Sequence, residues 1–287
     1  MPELRKLDGV FIAFPSFVRG GYGELKLDKD RIITEPRVYL VGKSQLDPDM
    51  FKAFLDDEGM IFETDTKVDA EILAEAAGRV CYLSFGKGRK SNAEYLENII
   101  ASHHGSVLEH VTWNFLITGI SRSLTHEFIR HRAGFAYSQE SQRYVDESDT
   151  RYVVPPLYQE NADIRANWEA AIAAAHKSYC ELVEETEKFV ALKYPELSGT
   201  DRRKLVRQSA RSVLPNACET KLFVTANARA WRHFVEMRGS IHADAEIRNL
   251  AVMIAKILID ESPNIFGDIE IALENGIEVT RAKHSKV

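Results

Sequence analysis

A fifteen-residue stretch of the chain is rich in groups that bind anions. Residues 130–144 read Arg-His-Arg-Ala-Gly-Phe-Ala-Tyr-Ser-Gln-Glu-Ser-Gln-Arg-Tyr and contain three arginines, one histidine and two serines. An arginine can donate two parallel hydrogen bonds to a phosphate group, and serine hydroxyls add neutral donors. Just upstream, residues 117–129 are predicted to form a helix, because Ile120, Leu124 and Phe128 recur every four residues.

In that helical register, three side chains near the end of the helix share one face. Glu127 precedes Arg130 by three residues and His131 by four, and such positions are neighbours on a helix. Gly134 then interrupts the helix, and the polar residues after it are predicted to form a loop rich in donors. A solvated basic turn tied to Glu127 is the structural alternative, since runs of charge usually lie on the surface.

Four separated motifs, this stretch among them, occur in an order that is typical of one enzyme family. They are His104-Gly-Ser-Val-Leu-Glu109-His110, Arg130-His131-Arg132 with Ser141 and Arg143, Arg211-Ser-Val-Leu-Pro215, and Asn227-Ala-Arg229 with His233 and Arg238. From about residue 70 to residue 263 the chain resembles the flavin-dependent thymidylate synthases, whose signature is Arg-His-Arg, seven residues and a serine. Here eight residues separate Arg132 from Ser141, which leaves the path of this loop open.

The resemblance implies reductive methylation of dUMP to dTMP. It implies FAD as the redox cofactor, NADPH as the reductant and 5,10-methylenetetrahydrofolate as the one-carbon donor. The implied catalytic residues are Arg238 and Ser141. A guanidinium such as that of Arg238 would stabilise negative charge developing at the C4 carbonyl of uracil. Ser141 is expected to position the substrate and not to attack it, because no motif places a general base beside it.

The implied ligand-binding residues fall into two sets. The set implied for dUMP consists of Glu127, Arg130, Gln139, Ser141, Gln142, Arg143, Arg211 and Arg238. The set implied for FAD consists of His104, Ser106, Glu109, Arg130, His131, Arg132, Asn227, Arg229 and His233. Ser106 and Glu109 also have the spacing of a helix-capping box, which is their structural alternative. The structural alternative for Arg238 is an interaction with the dipole at a helix C-terminus.

Composition argues against several classes of ligand and compartment. The net charge of −6 does not suit a general nucleic-acid surface, which would be basic. Cys81, Cys180 and Cys218 are widely spaced, which predicts reduced thiols without a disulfide framework or a zinc site. No other metal site is expected. The sequence also suggests neither a signal peptide nor a membrane span, so we expect a cytoplasmic protein.

The order of predicted elements indicates an α+β fold, a single mixed domain with a largely antiparallel sheet flanked by long helices. Residues 1–65 are predicted to be an N-terminal extension with short strands and a glycine-rich turn at residues 19–23, and residues 66–287 the synthase domain. Strands are expected at residues 10–14, 38–41, 111–117 and 220–225. Helices are expected at residues 69–82, 92–102, 200–213, 226–238 and 243–259, and residues 161–193 are expected to form one long helix or a pair. In helix 69–82 the buried side is expected to carry Ile72, Leu73, Ala76 and Val80.

The resemblance further implies a homotetramer with active sites shared between subunits. Two carboxylates leave the identity of the pyrimidine substrate undecided. Glu127 stands where many relatives carry glutamine, and Glu140 adjoins Ser141. A carboxylate near a phosphate weakens binding unless it is paired, for instance with Arg143 or Arg130. The alternatives are therefore methylation or hydroxymethylation of a related pyrimidine nucleotide, or a non-catalytic paralogue that binds nucleotide or flavin.

Overall fold

The structure is a computed structural model that describes residues 4–7, 10–13, 27–89 and 91–287. The predicted glycine-rich turn at residues 19–23 lies outside the described residues. The strands are β1 (Leu4–Leu7), β2 (Val10–Ala13), β3 (Ile32–Ile33), β4 (Arg37–Lys43), β5 (Thr112–Ser121), β6 (Phe135–Gln139), β7 (Tyr152–Val153), β8 (Glu219–Asn227), β9 (Ile269–Glu274) and β10 (Ile277–Ala282). The helices are α1 (Pro48–Asp57), α2 (Asp69–Tyr82), α3 (Asn92–Ala101), α4 (Arg122–Phe128), α5 (Ala162–Lys193), α6 (Gly199–Ala210), α7 (Ala228–Arg238), α8 (Ala245–Glu261) and α9 (Pro263–Phe266).

The central sheet has four antiparallel strands in the order β4-β5-β8-β6. Along β5 the side chains of Trp113, Phe115 and Ile117 are fully buried on one face, as the alternation of a half-buried strand requires. Helix α7 packs on this face, where the ring of Trp231 lies 5.1 Å from that of Phe115. The α+β prediction with an antiparallel sheet flanked by helices is confirmed.

The N-terminal part of the chain contributes to the sheet. Strand β4, which falls within the predicted extension, pairs with β5 as the edge strand. The division at residue 65 stays a prediction. Helix α5 is a single helix of 32 residues, which is one of the two arrangements expected from the run without glycine or proline. Among the residues that the structure describes, no helix has the length and apolar character needed to cross a membrane.

The predicted helix at residues 117–129 is wrong over its first half. Strand β5 continues to Ser121, and only Arg122–Phe128 is helical. Gly119 adopts φ 71° at an irregularity in the pairing of β5 with β8, so the burial pattern shifts there from a period of two. Ser121 then starts the helix, because its hydroxyl accepts a hydrogen bond from Leu124 N at 3.0 Å. The four-residue spacing of Ile120 and Leu124 therefore spans a strand end and a helix start.

The predicted loop after Gly134 is also wrong, because Phe135–Gln139 forms the edge strand β6. Phe135 and Tyr137 point towards the core, with ring centroids 6.0 and 5.6 Å from that of Phe128. Ala136 and Ser138, between and beyond them, are exposed. The period of two was present in the sequence, but the polar residues around it obscured the strand.

Helix α2 has the predicted bounds, and Ala76 is buried and Leu73 packs against the core as expected, but the buried side differs elsewhere. Val80 is exposed, whereas Glu71, Glu75 and Arg79 are buried. The guanidinium of Arg79 donates to Glu75 Oε1 at 2.8 Å and to the carbonyl oxygens of residues 84, 87 and 89 at 3.0, 2.9 and 2.8 Å. Apolar periodicity could not identify this face, because a buried arginine is stable only when tertiary partners satisfy its donors.

Arg79→Met should lower the free energy of unfolding by about 3–5 kcal/mol, because it leaves the Glu75 carboxylate buried without its partner. Lys52→Met is the matched control: it breaks an ion pair with Asp56 whose side chains are 71% and 64% exposed. That control should change stability by less than about 1 kcal/mol. Urea unfolding of both variants measures the difference, and equal midpoints would contradict the structural role of Arg79.

Candidate functional site

Helix α7 and the segment of residues 130–134 lie side by side and bring most of the predicted residues together. Asn227 caps the helix, its Oδ1 accepting from Ala230 N at 2.9 Å. Gly134 adopts φ 75° next to Asn227, and a Cβ on it would lie 2.8 Å from Asn227 Nδ2. Further along the helix, the rings of His131 and His233 are 5.7 Å apart. The glycine is therefore needed both for its conformation and for the close approach.

At the C-terminal end of α7, Arg238 is held by two acceptors. Its Nε donates to His131 Nε2 at 2.9 Å, and its Nη1 donates to Glu127 Oε2 at 2.6 Å. Arginine stays protonated in proteins and can only donate, so His131 Nε2 must be the acceptor nitrogen of a neutral ring. The ring proton is then on Nδ1. The guanidinium is fixed by two bonds and keeps Nη2 for another acceptor.

Burial keeps His131 neutral. The pKa of His131 falls from 6.5 to about 4, mainly because of desolvation and further because of the positive charge of Arg238 and the proximity of His233. The hydroxyl of Tyr137 lies 2.7 Å from the backbone oxygen of His131 and 3.0 Å from that of Phe128. Tyr137 therefore fixes the backbone that carries the imidazole.

A second group forms at the N-terminal end of α7. Arg229 donates to Glu109 Oε1 at 2.6 Å and to the backbone oxygen of Val287 at 3.1 Å. His104 and Ser106, which flank Gly105 in the same segment, are exposed. The segment Gly105–His110 is a 3-10 helix without a side-chain cap, so the capping alternative for Ser106 and Glu109 does not form.

A third group lies beyond the end of β6, where α4 runs alongside the strand. Gln139 Nε2 donates to Thr125 Oγ1 at 3.1 Å, and Gln139 is thus held between the helix and the sheet. Ser141 accepts a bond from Arg143 N at 3.3 Å within the turn that follows. The side chain of Gln142 is buried, whereas that of Arg143 is exposed.

No side-chain hydrogen bond or ion pair between the described residues joins these three groups to one another. Four predicted anion-binding arginines are exposed and form no ion pair with any described residue: Arg130, Arg132, Arg143 and Arg211. Arg211 begins a 3-10 helix directly after α6. An exposed guanidinium without a carboxylate partner suits a phosphate or pyrophosphate group, which it can bind through two parallel bonds.

The two carboxylates that left the identity of the substrate undecided are both paired with a cation, but their partners are not the predicted ones. Glu127 pairs with Arg238, and Glu140 pairs with Lys221 at 2.6 Å. Lys221 lies on β8, and the pairing of β8 with β6 brings it beside Glu140. Arg143 and Arg130, which were suggested as partners, form no ion pair with these carboxylates. Sequence spacing could not identify a cross-strand pair.

Several residues near the third group were missed by the sequence analysis. Arg122 donates to the backbone oxygen of Glu140, and Arg207 on α6 donates to that of Tyr144. Glu147 is 1% exposed and carries no motif. Their only sequence signal is charge close to the signature stretch, which is also typical of an ordinary surface. Among the described residues, no group of three or more potential metal ligands converges.

Comparison with known proteins gives consistent results over most of the chain. Residues 64–264 match the family model described as "Thymidylate synthase complementing protein". A "Flavin-dependent thymidylate synthase" of Mycobacterium sp. (strain JLS) is 50% identical over 223 residues, covering 76% of this chain and 87% of the relative. Proteins with the same name from Mycobacterium avium (strain 104) and Mycobacteroides abscessus are 50% and 48% identical, and they cover 72% and 76% of this chain. The alignments cover 83% and 88% of these two relatives.

The depressed pKa of His131 predicts a pH-dependent stability. Between pH 6.5 and about 4 the unfolded chain binds a proton at this histidine that the folded chain does not, so stability falls as the pH falls through that window. The loss should reach about 3 kcal/mol. In His131→Gln this component should vanish. Urea unfolding at several pH values measures it, with the exposed His242→Gln as control; identical profiles for both variants would contradict the prediction.

Proposed function

The chain belongs to the family of flavin-dependent thymidylate synthases, and on that premise we propose that it methylates dUMP reductively to dTMP. The observation that carries the proposal is the fixed guanidinium of Arg238 between Glu127 and His131. Methylation at C5 requires negative charge to develop on the uracil ring, and preorganised donors at the C4 oxygen would stabilise that charge. Arg238 has the donors and the rigidity for this role.

The other predicted dUMP residues are assigned to binding the phosphate and to orienting the nucleotide. Arg143 and Arg211 are assigned to the phosphate of dUMP, and Ser141 and Gln142 to orienting the nucleotide. Gln139 is assigned a supporting part, because its amide is held between α4 and the sheet. Ser141 has no histidine or carboxylate bonded to its hydroxyl among the described residues, which supports positioning and not nucleophilic attack.

The family name gives a flavin as the cofactor, and we assign FAD to the residues around α7. FAD carries a pyrophosphate, and Arg130 and Arg132, which are exposed and form no ion pair with the described part of the chain, have suitable donor chemistry for it. Asn227, Arg229 and His233 line α7 beside this segment, with Glu109 bonded to Arg229. When bound, the flavin would supply the redox chemistry of the reaction. NADPH and 5,10-methylenetetrahydrofolate complete the proposal as reductant and one-carbon donor.

We propose that the active protein is a homotetramer whose subunits share active sites. Two features of the described chain support this. The predicted dUMP residues fall into separate groups that no side-chain hydrogen bond or ion pair between the described residues joins. In addition, Tyr39, Leu116 and Phe223 are aligned across neighbouring strands on the outer face of the sheet, and Tyr39 and Phe223 are 46% and 41% exposed. Exposed apolar patches of this kind mark interaction surfaces.

The proposal is tested by assaying the purified protein for dTMP formation from dUMP with FAD, NADPH and 5,10-methylenetetrahydrofolate. We expect yellow protein that forms dTMP and releases tritium from 5-tritiated dUMP. Arg238→Gln should lower kcat by about 10²–10³-fold, because a donor to the developing anion is lost. Flavin-loaded wild-type protein that turns over only another pyrimidine nucleotide would favour the related-substrate alternative, and flavin-loaded protein without turnover would favour a non-catalytic role.

Shared active sites predict complementation between two inactive variants. Arg143→Ala and Arg238→Ala remove residues of different groups, so a mixed oligomer can contain sites in which both arginines are intact. After subunit exchange, about one quarter of the sites should recover activity. Each variant incubated alone is the control. Proven exchange without recovery would place both arginines in the site of a single subunit.

A further inference from the structure

We propose that Glu147 and Arg122 are positioning residues for the substrate turn, defined as residues 140–144, and that they act as one charge pair. The proposal rests on the function proposed above, which assigns Ser141, Gln142 and Arg143 of this turn to dUMP. Neither Glu147 nor Arg122 belongs to the motifs of the signature stretch. Both are less exposed than Arg143 and Tyr144 of the turn.

Two arginines bind the ends of the substrate turn through its backbone. Arg122 Nη2 donates to the carbonyl oxygen of Glu140 at 3.0 Å. At the other end, Arg207 donates to the carbonyl oxygen of Tyr144 and to Asp146 Oδ2, the latter at 3.0 Å. The residues between these two anchors have no regular secondary structure. Backbone hydrogen bonds from Glu140 to Lys221 and from Tyr144 to Ser141 also hold the turn, and the two guanidinium groups fix its ends against the rest of the fold.

Arg122 is placed by the carboxylate of Glu147. Nη2 of Arg122 and Oε1 of Glu147 are 3.6 Å apart, with 17% and 2% of the two side chains exposed. Glu147 is anchored in turn, since its backbone N–H donates to the hydroxyl of Tyr179 on α5 at 3.2 Å. The carboxylate thus links α5, the largest helix, to the arginine that holds the start of the substrate turn.

The attraction between these groups is electrostatic and not that of an ideal hydrogen bond. Arg122 Nε, Gln142 Nε2 and Glu147 Oε1 are buried, and none forms a hydrogen bond with the described residues. In a poorly screened interior the charge of Glu147 therefore acts on both nearby donors. Burial raises the pKa of Glu147, and the negative charge of Glu140 adds to that rise, whereas a hydrogen bond from Thr150 and the positive charge of Arg122 oppose it. The buried charge of Glu147 is therefore unfavourable to desolvate, and the same charge orients Arg122 and Gln142.

The charge pair predicts how the effects of the single and double substitutions should combine. If one partner is removed, the other charge is left buried without compensation, and the substrate turn shifts to solvate it. If both are removed, no buried charge remains, and the only effect on the turn is the loss of one backbone contact. The damage to dUMP binding should therefore be less than multiplicative in the double variant.

The test is calorimetric titration of dUMP into the FAD-loaded full-length protein. Glu147→Gln and Arg122→Gln should each weaken dUMP binding by about tenfold or more, with the affinity for FAD and the flavin absorption spectrum unchanged. The double variant should bind dUMP at least about fivefold more tightly than the product of the single effects predicts. Arg122→Lys, which keeps the charge, should bind dUMP more tightly than Arg122→Gln.

Asp268→Asn is the matched control, because it neutralises the acid of another buried pair, Arg232–Asp268 at 2.6 Å, away from the substrate turn. It should lower stability but leave dUMP binding unchanged. The positioning role is overturned if single effects multiply, if FAD affinity falls in parallel, or if Asp268→Asn weakens dUMP binding equally. If Glu147→Gln does not fold, the ranking of Arg122→Lys above Arg122→Gln decides. Wild-type protein that makes no dTMP would instead overturn the proposed function.

Discussion

The pairing of β6 with β8 is the constraint on which the rest of the candidate site depends. Its register places Phe135 opposite Ala226 and Gln139 opposite Leu222. At the start of β6, Gly134 lies against the start of α7. At the end of β6, the substrate turn begins beside Lys221. A register slip of one residue would reverse the faces of Phe135 and Tyr137 and withdraw both from the core. The two ends of the signature stretch are therefore positioned by one short edge strand.

Charge in this protein is placed where tertiary structure can satisfy it. Arg79 and Arg232 are buried, with carboxylates and backbone carbonyl oxygens as partners. Arg238 is partly buried and has one charged and one neutral acceptor. By contrast, Arg130 and Arg132 remain exposed. The first kind stabilises the fold, since removing one partner leaves a buried charge; the second kind is available to an anionic ligand.

The neutral state of His131 connects stability with the proposed chemistry. A protonated imidazole could not accept the hydrogen bond from Arg238 and would add a like charge beside it. The desolvation that lowers the pKa of His131 therefore also preserves the position of the guanidinium. Glu127 completes this arrangement with a carboxylate, which fixes the guanidinium and compensates part of its positive charge.

The sequence by itself determined the helices with long uninterrupted periodicity, the α+β class, and the family, because propensity, caps and separated motifs are local properties. Helix α5 and the strand that begins near residue 112 were predicted in this way. Only the tertiary structure decided the buried face of α2, the strand β6, and the pairing of Glu127 with Arg238 and of Glu140 with Lys221. Strand β6 and the two ion pairs depend on partners 81 or more residues away, as with Lys221 and Glu140. The buried face of α2 depends on the loop after the helix, whose carbonyl oxygens accept from Arg79. Local patterns carry no information about which distant group will compensate a charge or pair with a strand edge.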